Sequence, residues 1–252
     1  MLLFLALACS GPQSQDDAVP VDTSPEDTEI GDTDLPDAEA VTLTTRDGVT
    51  LVGDYYGPSA SDAGTLGVVL LHMIPPTYDR TTWPADFVQG LREKHYQVLA
   101  IDRRGAGDSG GVAEEAYQGE KGRYDVEAAD AYLREKGVER IVLIGASNGT
   151  TSALDFSLWS VGEADLKSPE ALVLMTGGGY TENNADLGEL DLSNVMFTYS
   201  TDEKAWSVGQ QDHDPGTWLF KEYPGGGHGT KMFAVKPEVG GDILGFLSTA
   251  LP

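Results

Sequence analysis

Four apolar residues, Ile141-Val142-Leu143-Ile144, run without a break into Gly145-Ala146-Ser147-Asn148-Gly149. A short run of this kind, mostly β-branched, predicts a buried strand. Thr150 to Trp159 then carries Ala153, Leu154, Phe156, Leu158 and Trp159, which predicts a helix packed on a sheet. Strand, sharp turn with serine at its apex, and helix form the setting in which Gly-x-Ser-x-Gly presents a serine hydroxyl. The turn strains the serine backbone, so its neighbours must be small, and Gly145, Ala146 and Gly149 are small. Ser147 is therefore the candidate nucleophile; the alternative is a serine in an ordinary glycine-rich loop.

The rest of the chain must be able to surround such a unit. Ala40-Val41-Thr42-Leu43-Thr44-Thr45 and Val49 to Tyr56 alternate on either side of Arg46-Asp47-Gly48 and predict a hairpin. Buried strands are predicted at Gly67–Leu71, Gln97–Ile101, Ala171–Met175 and Val195–Tyr199, and an alternating one at Thr217–Tyr223. Helices are predicted at Trp83–Lys94, Tyr124–Lys136, Glu203–Gly209 and Val239–Leu251. After the hairpin, strands alternate with helices, which implies a mostly parallel sheet covered on both faces.

A serine hydroxyl needs a base, and the base needs an orienting acid. The chain has four histidines. His72 ends a buried strand, His95 a helix, and His213 lies in a polar loop. His228 sits in Pro224-Gly225-Gly226-Gly227-His228-Gly229, after the last strand, where an imidazole can reach the sheet edge; it is the candidate base. The acid should follow a late strand, which points to Asp202, with Glu203 and Asp186 in reserve. The order Ser147, Asp202, His228 is serine, acid, histidine. An oxyanion needs two backbone N–H donors: Asn148, after the nucleophile, and Ile74 or Met73, after the Gly67–Leu71 strand. Pro75 and Pro76 have no N–H to give.

These segments together resemble the α/β-hydrolase superfamily, in its dienelactone-hydrolase-like or esterase type, over residues 40–252. LLHMIPPTYDRTTW resembles the family's strand ending in His-Gly-x, with Met73 in place of glycine. VLAIDRRGAGDSGG resembles its Asp-x-Arg-Gly-x-Gly-x-Ser segment, IVLIGASNG its nucleophile elbow, VMFTYSTDE its acid turn and YPGGGHGTKMF its histidine loop. The resemblance implies an α/β-hydrolase fold with a mostly parallel central sheet, an N-terminal antiparallel hairpin and helices on both faces. It also implies hydrolysis of an ester, thioester or amide through an acyl-enzyme, on a small-molecule acyl ester in the leading reading. No cofactor or metal ion is expected. A peptidase, a thioesterase, an acyltransferase and a non-catalytic binding protein on the same fold are the alternatives. Residues 176–194 are too few for a large cap, so an open site flanked by Tyr180 and Trp206 is expected.

Gly105-Ala106-Gly107-Asp108-Ser109-Gly110 also fits a dinucleotide fingerprint, but a charged loop follows it where that motif must open a helix. The net charge of -25, from 16 basic and 41 acidic residues, excludes nucleic-acid binding through a basic face. Ten of the acids fall in residues 10–40, which hold no Lys or Arg and few aliphatic residues. Residues 10–39 are therefore expected to be a disordered acidic tether. Ahead of it, Leu5-Ala6-Leu7-Ala8-Cys9 resembles a lipobox, so residues 1–9 read as a lipoprotein-like signal segment with Cys9 as the lipidated residue. That resemblance implies a lipid-anchored protein of the cell envelope, on the outer-membrane or periplasmic side, with secretion as the alternative.

Overall fold

The computed structural model describes residues 38–58, 64–181, 184 and 187–251. Cys9, the signal-like segment 1–9, the tether but for its last two residues, and the reserve acid Asp186 lie outside this set.

Eight strands form one sheet in the order β1-β2-β4-β3-β5-β6-β7-β8. The hairpin is β1 (Glu39–Thr44) and β2 (Thr50–Tyr56). The strands that follow are β3 (Leu66–Leu71), β4 (Gln97–Ile101), β5 (Arg140–Ala146), β6 (Ala171–Met175), β7 (Val195–Ser200) and β8 (Leu219–Tyr223). β2 pairs antiparallel with β1 and β4, and every later pair is parallel. The carboxyl ends of β3 to β8 therefore share one edge. The expected mostly parallel sheet with an antiparallel hairpin is the one observed.

The period of two along each strand divides the core between two faces. Val69 and Leu71, Ile141 and Leu143, and Leu172 and Leu174 point one way, against α2 (Gly122–Glu135) and α3 (Gly149–Gly162). Val68 and Leu70, Val142 and Ile144, and Val173 and Met175 point the other way, against α1 (Ala85–Glu93) and α6 (Glu238–Ala250). Two short helices, α4 (Ala205–Gly209) and α5 (Met232–Val235), lie in the loops after β7 and β8. The first helix begins two residues later than expected, because Pro84 is extended and caps it. Trp83 is released to stack on Phe87 in the core. The connection from β6 to β7 spans only residues 176–194, which leaves no room for a large cap.

The hairpin turn is tied to the rest of the sheet by Arg104, in the loop after β4. Its Nε lies 2.8 Å from Asp125 Oδ1 on α2, and its Nη1 lies 2.9 Å from Asp47 Oδ2 in the turn. The Arg104 amide also donates to Asp125 Oδ2, at 2.9 Å. Both Arg104 and Asp125 side chains are fully buried. Burial works against the Arg104 charge, but the Asp47 and Asp125 carboxylates outweigh it and hold the guanidinium above its ordinary range. Ser109, in the fingerprint-like loop, is absorbed in the same way: its hydroxyl donates to the Asp102 carbonyl and accepts from the Val52 amide. That loop leads into a short 3-10 turn at Ala113–Ala116 and opens no helix.

Removing one member of a buried pair strands the other. Arg104→Met is expected to destabilise the protein by about 3–5 kcal/mol in urea unfolding. Arg104→Met combined with Asp125→Leu should recover much of the loss, since no buried carboxylate is then left without its cation.

Candidate active site

Four loops at the carboxyl edge of the sheet converge on Ser147. The serine follows β5 directly and has φ 49°, in the left-handed region that a non-glycine residue enters only when its surroundings impose it. Its amide donates to the Met175 carbonyl at the end of β6, 2.7 Å away. Its carbonyl accepts from the amide and hydroxyl of Thr150, in the first turn of α3. Gly149 is required by packing: a Cβ there would lie 2.1 Å from the Leu71 carbonyl oxygen. The elbow is thus pressed against the end of β3.

His228 follows β8 and turns its ring toward the serine. Nε2 lies 2.5 Å from Ser147 Oγ, and Nδ1 lies 2.7 Å from Glu203 Oε2. A carboxylate only accepts, so the ring proton sits on Nδ1 and the bare Nε2 faces the serine hydroxyl. Glu203, held in reserve in the sequence reading, takes the place expected of Asp202. The reason is local. β7 runs one residue further than expected, to Ser200, and a 3-10 turn over Thr201–Glu203 starts at once. Successive side chains in such a turn point about 120° apart. Asp202 is exposed, and the longer Glu203 side chain is the one that contacts the imidazole. Ser147 itself is only 4% exposed, whereas the His228 and Glu203 side chains are 41% and 40% exposed.

Behind the elbow lies a fully buried cation. Arg103 uses every guanidinium N–H: Nε and Nη2 donate to Ser152 Oγ, Nη2 also to the Ala116 carbonyl, and Nη1 to Asn148 Oδ1 at 2.9 Å and to the His72 carbonyl at 3.4 Å. Burial pushes its pKa down to about 10, which leaves it charged at neutral pH. Because a guanidinium only donates, it fixes the Asn148 side chain with oxygen inward.

His72 sets the neighbouring loop. Its Nε2 accepts from the Arg103 amide at 2.9 Å, so its proton lies on Nδ1, which donates to the Met73 carbonyl at 2.8 Å. Within one planar trans peptide, C=O and N–H point in opposite directions. With the Met73 carbonyl turned to His72, the Ile74 N–H faces away from it. The Ile74 N–H, one of the two amides expected on this loop, is thus turned away from His72. Met73 is buried and contributes its thioether: a Cβ on Gly229 would lie 2.4 Å from Met73 Sδ and 3.5 Å from Ser147 Cβ. Met73, Ser147 and the residue after His228 therefore meet at one point.

The two aromatic residues expected to flank the site differ. Tyr180 is exposed and lies over Gly178. Trp206 packs on Phe197 and donates its indole N–H to the Asn184 carbonyl, so it serves the core more than an open rim. Thr176, at the tip of β6, was not singled out in the sequence, yet its hydroxyl accepts from the Gly229 amide at 2.7 Å. Among the described residues no group of three His, Cys, Asp or Glu is placed to hold a metal ion, and no helix is long and apolar enough to cross a membrane.

No family model matches the chain, and no curated protein matches it in sequence. Solved structures match it in fold. An esterase of Pyrococcus furiosus is 19% identical, with a TM-score of 0.63 over 84% of this chain and 92% of its own. A Xanthomonas campestris protein described as an α/β serine hydrolase without a lid is 14% identical, with a TM-score of 0.66 over 86% and 96%. An esterase of a Rhodococcus species is 16% identical, with a TM-score of 0.62 over 84% and 99%. The chain has the α/β-hydrolase fold.

His72 carries a measurable signature of this arrangement. Burial, reinforced by the Arg103 charge, lowers its pKa from 6.5 to about 3. The unfolded chain therefore takes up a proton that the folded chain refuses across that interval. Stability from this group is complete above pH 6.5 and is lost as pH falls toward 3, at up to about 1.4 kcal/mol per pH unit. Urea unfolding across that range should show a shallower fall in His72→Gln than in the wild type. Equal slopes would remove the assignment.

Proposed function

We propose that this protein is a serine hydrolase that cleaves a carboxylic ester through an acyl-enzyme on Ser147. The observation that carries the proposal is the unbroken chain of hydrogen bonds from Glu203 through His228 to Ser147. His228 Nε2 takes the hydroxyl proton as Ser147 Oγ attacks the carbonyl carbon, and the carbonyl oxygen becomes an oxyanion. The amides of Asn148 and Ile74 are the donors proposed to receive it. The imidazolium, oriented by Glu203, returns its proton to the leaving alcohol as the C–O bond breaks. Water, deprotonated by the same ring, then attacks the acyl-enzyme and releases the acid and the free serine.

The substrate class follows from the shape of the site. The base and its acid partner are both substantially exposed, and the β6–β7 connection is only residues 176–194. Small or solvent-exposed acyl groups suit such a site better than a long chain that needs a tunnel. The solved esterases of the same fold support an ester in preference to an amide, and Tyr180 is the proposed rim contact.

Ser147→Ala is expected to abolish both p-nitrophenyl acetate turnover and labelling by a fluorophosphonate; turnover at the wild-type rate would sink the proposal. The acid assignment has its own test. Glu203→Gln should lower kcat by about 10²-fold or more, because the ring loses its orienting carboxylate. Asp202→Asn should stay within roughly threefold of wild type. The reverse ranking would restore Asp202.

A further inference from the structure

Thr176 combines features that its place in the chain does not require. It is β-branched, yet its φ is 45°, in the left-handed region. It is 2% exposed, in the first turn after β6. A β-branched residue is held there only when its surroundings over-determine it, and such strain gathers at functional sites. Its surroundings are specific. The Thr176 amide donates to the Thr198 carbonyl of β7 at 2.7 Å, so the backbone is fastened to the sheet. The preceding carbonyl, Met175, accepts from the Ser147 amide at 2.7 Å. The Thr176 hydroxyl accepts from the Gly229 amide at 2.7 Å, one residue beyond His228.

The tip of β6 therefore holds both halves of the Ser147–His228 pair. One backbone carbonyl sets the serine, and one side-chain oxygen sets the loop that carries the histidine. Gly229 is buried, so its N–H has no ready substitute for that acceptor. The loop ahead of it, Pro224-Gly225-Gly226-Gly227, has little stiffness of its own. The Lys231 amide on the His228 carbonyl and Glu203 on the ring also hold this loop, and the Gly229 bond adds its tie to the tip of β6.

Building on the triad reading above, we propose that Thr176 is a positioning residue, whose hydroxyl clamps the Gly229 amide and so fixes His228 against Ser147. The left-handed backbone at Thr176 aims the hydroxyl at the histidine loop, and the strain is kept for that purpose.

Three variants separate the hydroxyl from the strain. Thr176→Val keeps the shape and loses the acceptor; Thr176→Ser keeps the acceptor; Thr176→Gly removes both the hydroxyl and the unfavourable Cβ. With p-nitrophenyl acetate, kcat should fall by about tenfold to a hundredfold in Thr176→Val and Thr176→Gly, with KM within about twofold. Thr176→Ser should stay within about threefold of wild type. Thr176→Gly should melt no lower than Thr176→Val, because relief of the left-handed strain offsets its added chain entropy. A Thr176→Val enzyme as fast as wild type, or a Thr176→Ser enzyme as slow as Thr176→Val, would overturn the clamp. A crystal structure of Thr176→Val supplies a readout free of turnover. A His228 ring displaced from Ser147 supports the clamp, and an unmoved ring overturns it. A wild-type protein inert to both p-nitrophenyl acetate and fluorophosphonate would instead remove the hydrolase reading, and the clamp would then stand or fall on that crystal structure.

Discussion

The site depends on a buried positive charge. Arg103 sits in the interior with all its donors engaged by oxygens from separate parts of the chain: the end of β3, the start of α3 and the 3-10 turn before α2. Taking a guanidinium out of water is costly unless each N–H finds an acceptor, so the cation specifies where those oxygens must be. The elbow cannot drift from the β3 loop without opening one of these bonds. The same residue donates its backbone amide to His72, and His72 in turn orients the Met73–Ile74 peptide. One side chain and its own amide thus hold the relative placement of Ser147, the helix start and the Met73–Ile74 loop.

The parallel order of the later strands does the rest. β5, β6, β7 and β8 are neighbours in the sheet as well as in the chain. Ser147, Thr176, Glu203 and His228 each follow one of these strands within a few residues. Four successive carboxyl ends present these four side chains side by side, and each is placed by a strand that is itself buried or paired. Precision comes from the sheet, and the loops need only be short.

Much of this was legible in the residues. Apolar runs and period-two alternation marked all eight strands, because burial on one or both faces leaves a direct trace in residue type. Ser147 and His228 were legible for a related reason: small residues crowd the one, and the other is the only histidine in a glycine-rich loop after the last strand. The acid was not. Asp202 and Glu203 are adjacent and equally acidic, and the choice turned on whether β7 ended at Tyr199 or Ser200. The contact of Trp206 with Phe197 was not legible either, since an aromatic residue that packs on the core looks like one that lines a site. Thr176 left no trace at all, because a backbone angle and one hydroxyl contact have no signature in composition.

The exposure of His228 and Glu203 bears on the fate of the intermediate proposed here. In the proposed reaction an acyl group would sit on a serine that is itself nearly buried, beside a histidine ring that solution reaches. Water and any dissolved alcohol would compete for it on abundance and intrinsic reactivity alone. On the proposed mechanism, hydrolysis and acyl transfer would then be two branches of one reaction, divided by the surroundings of the protein.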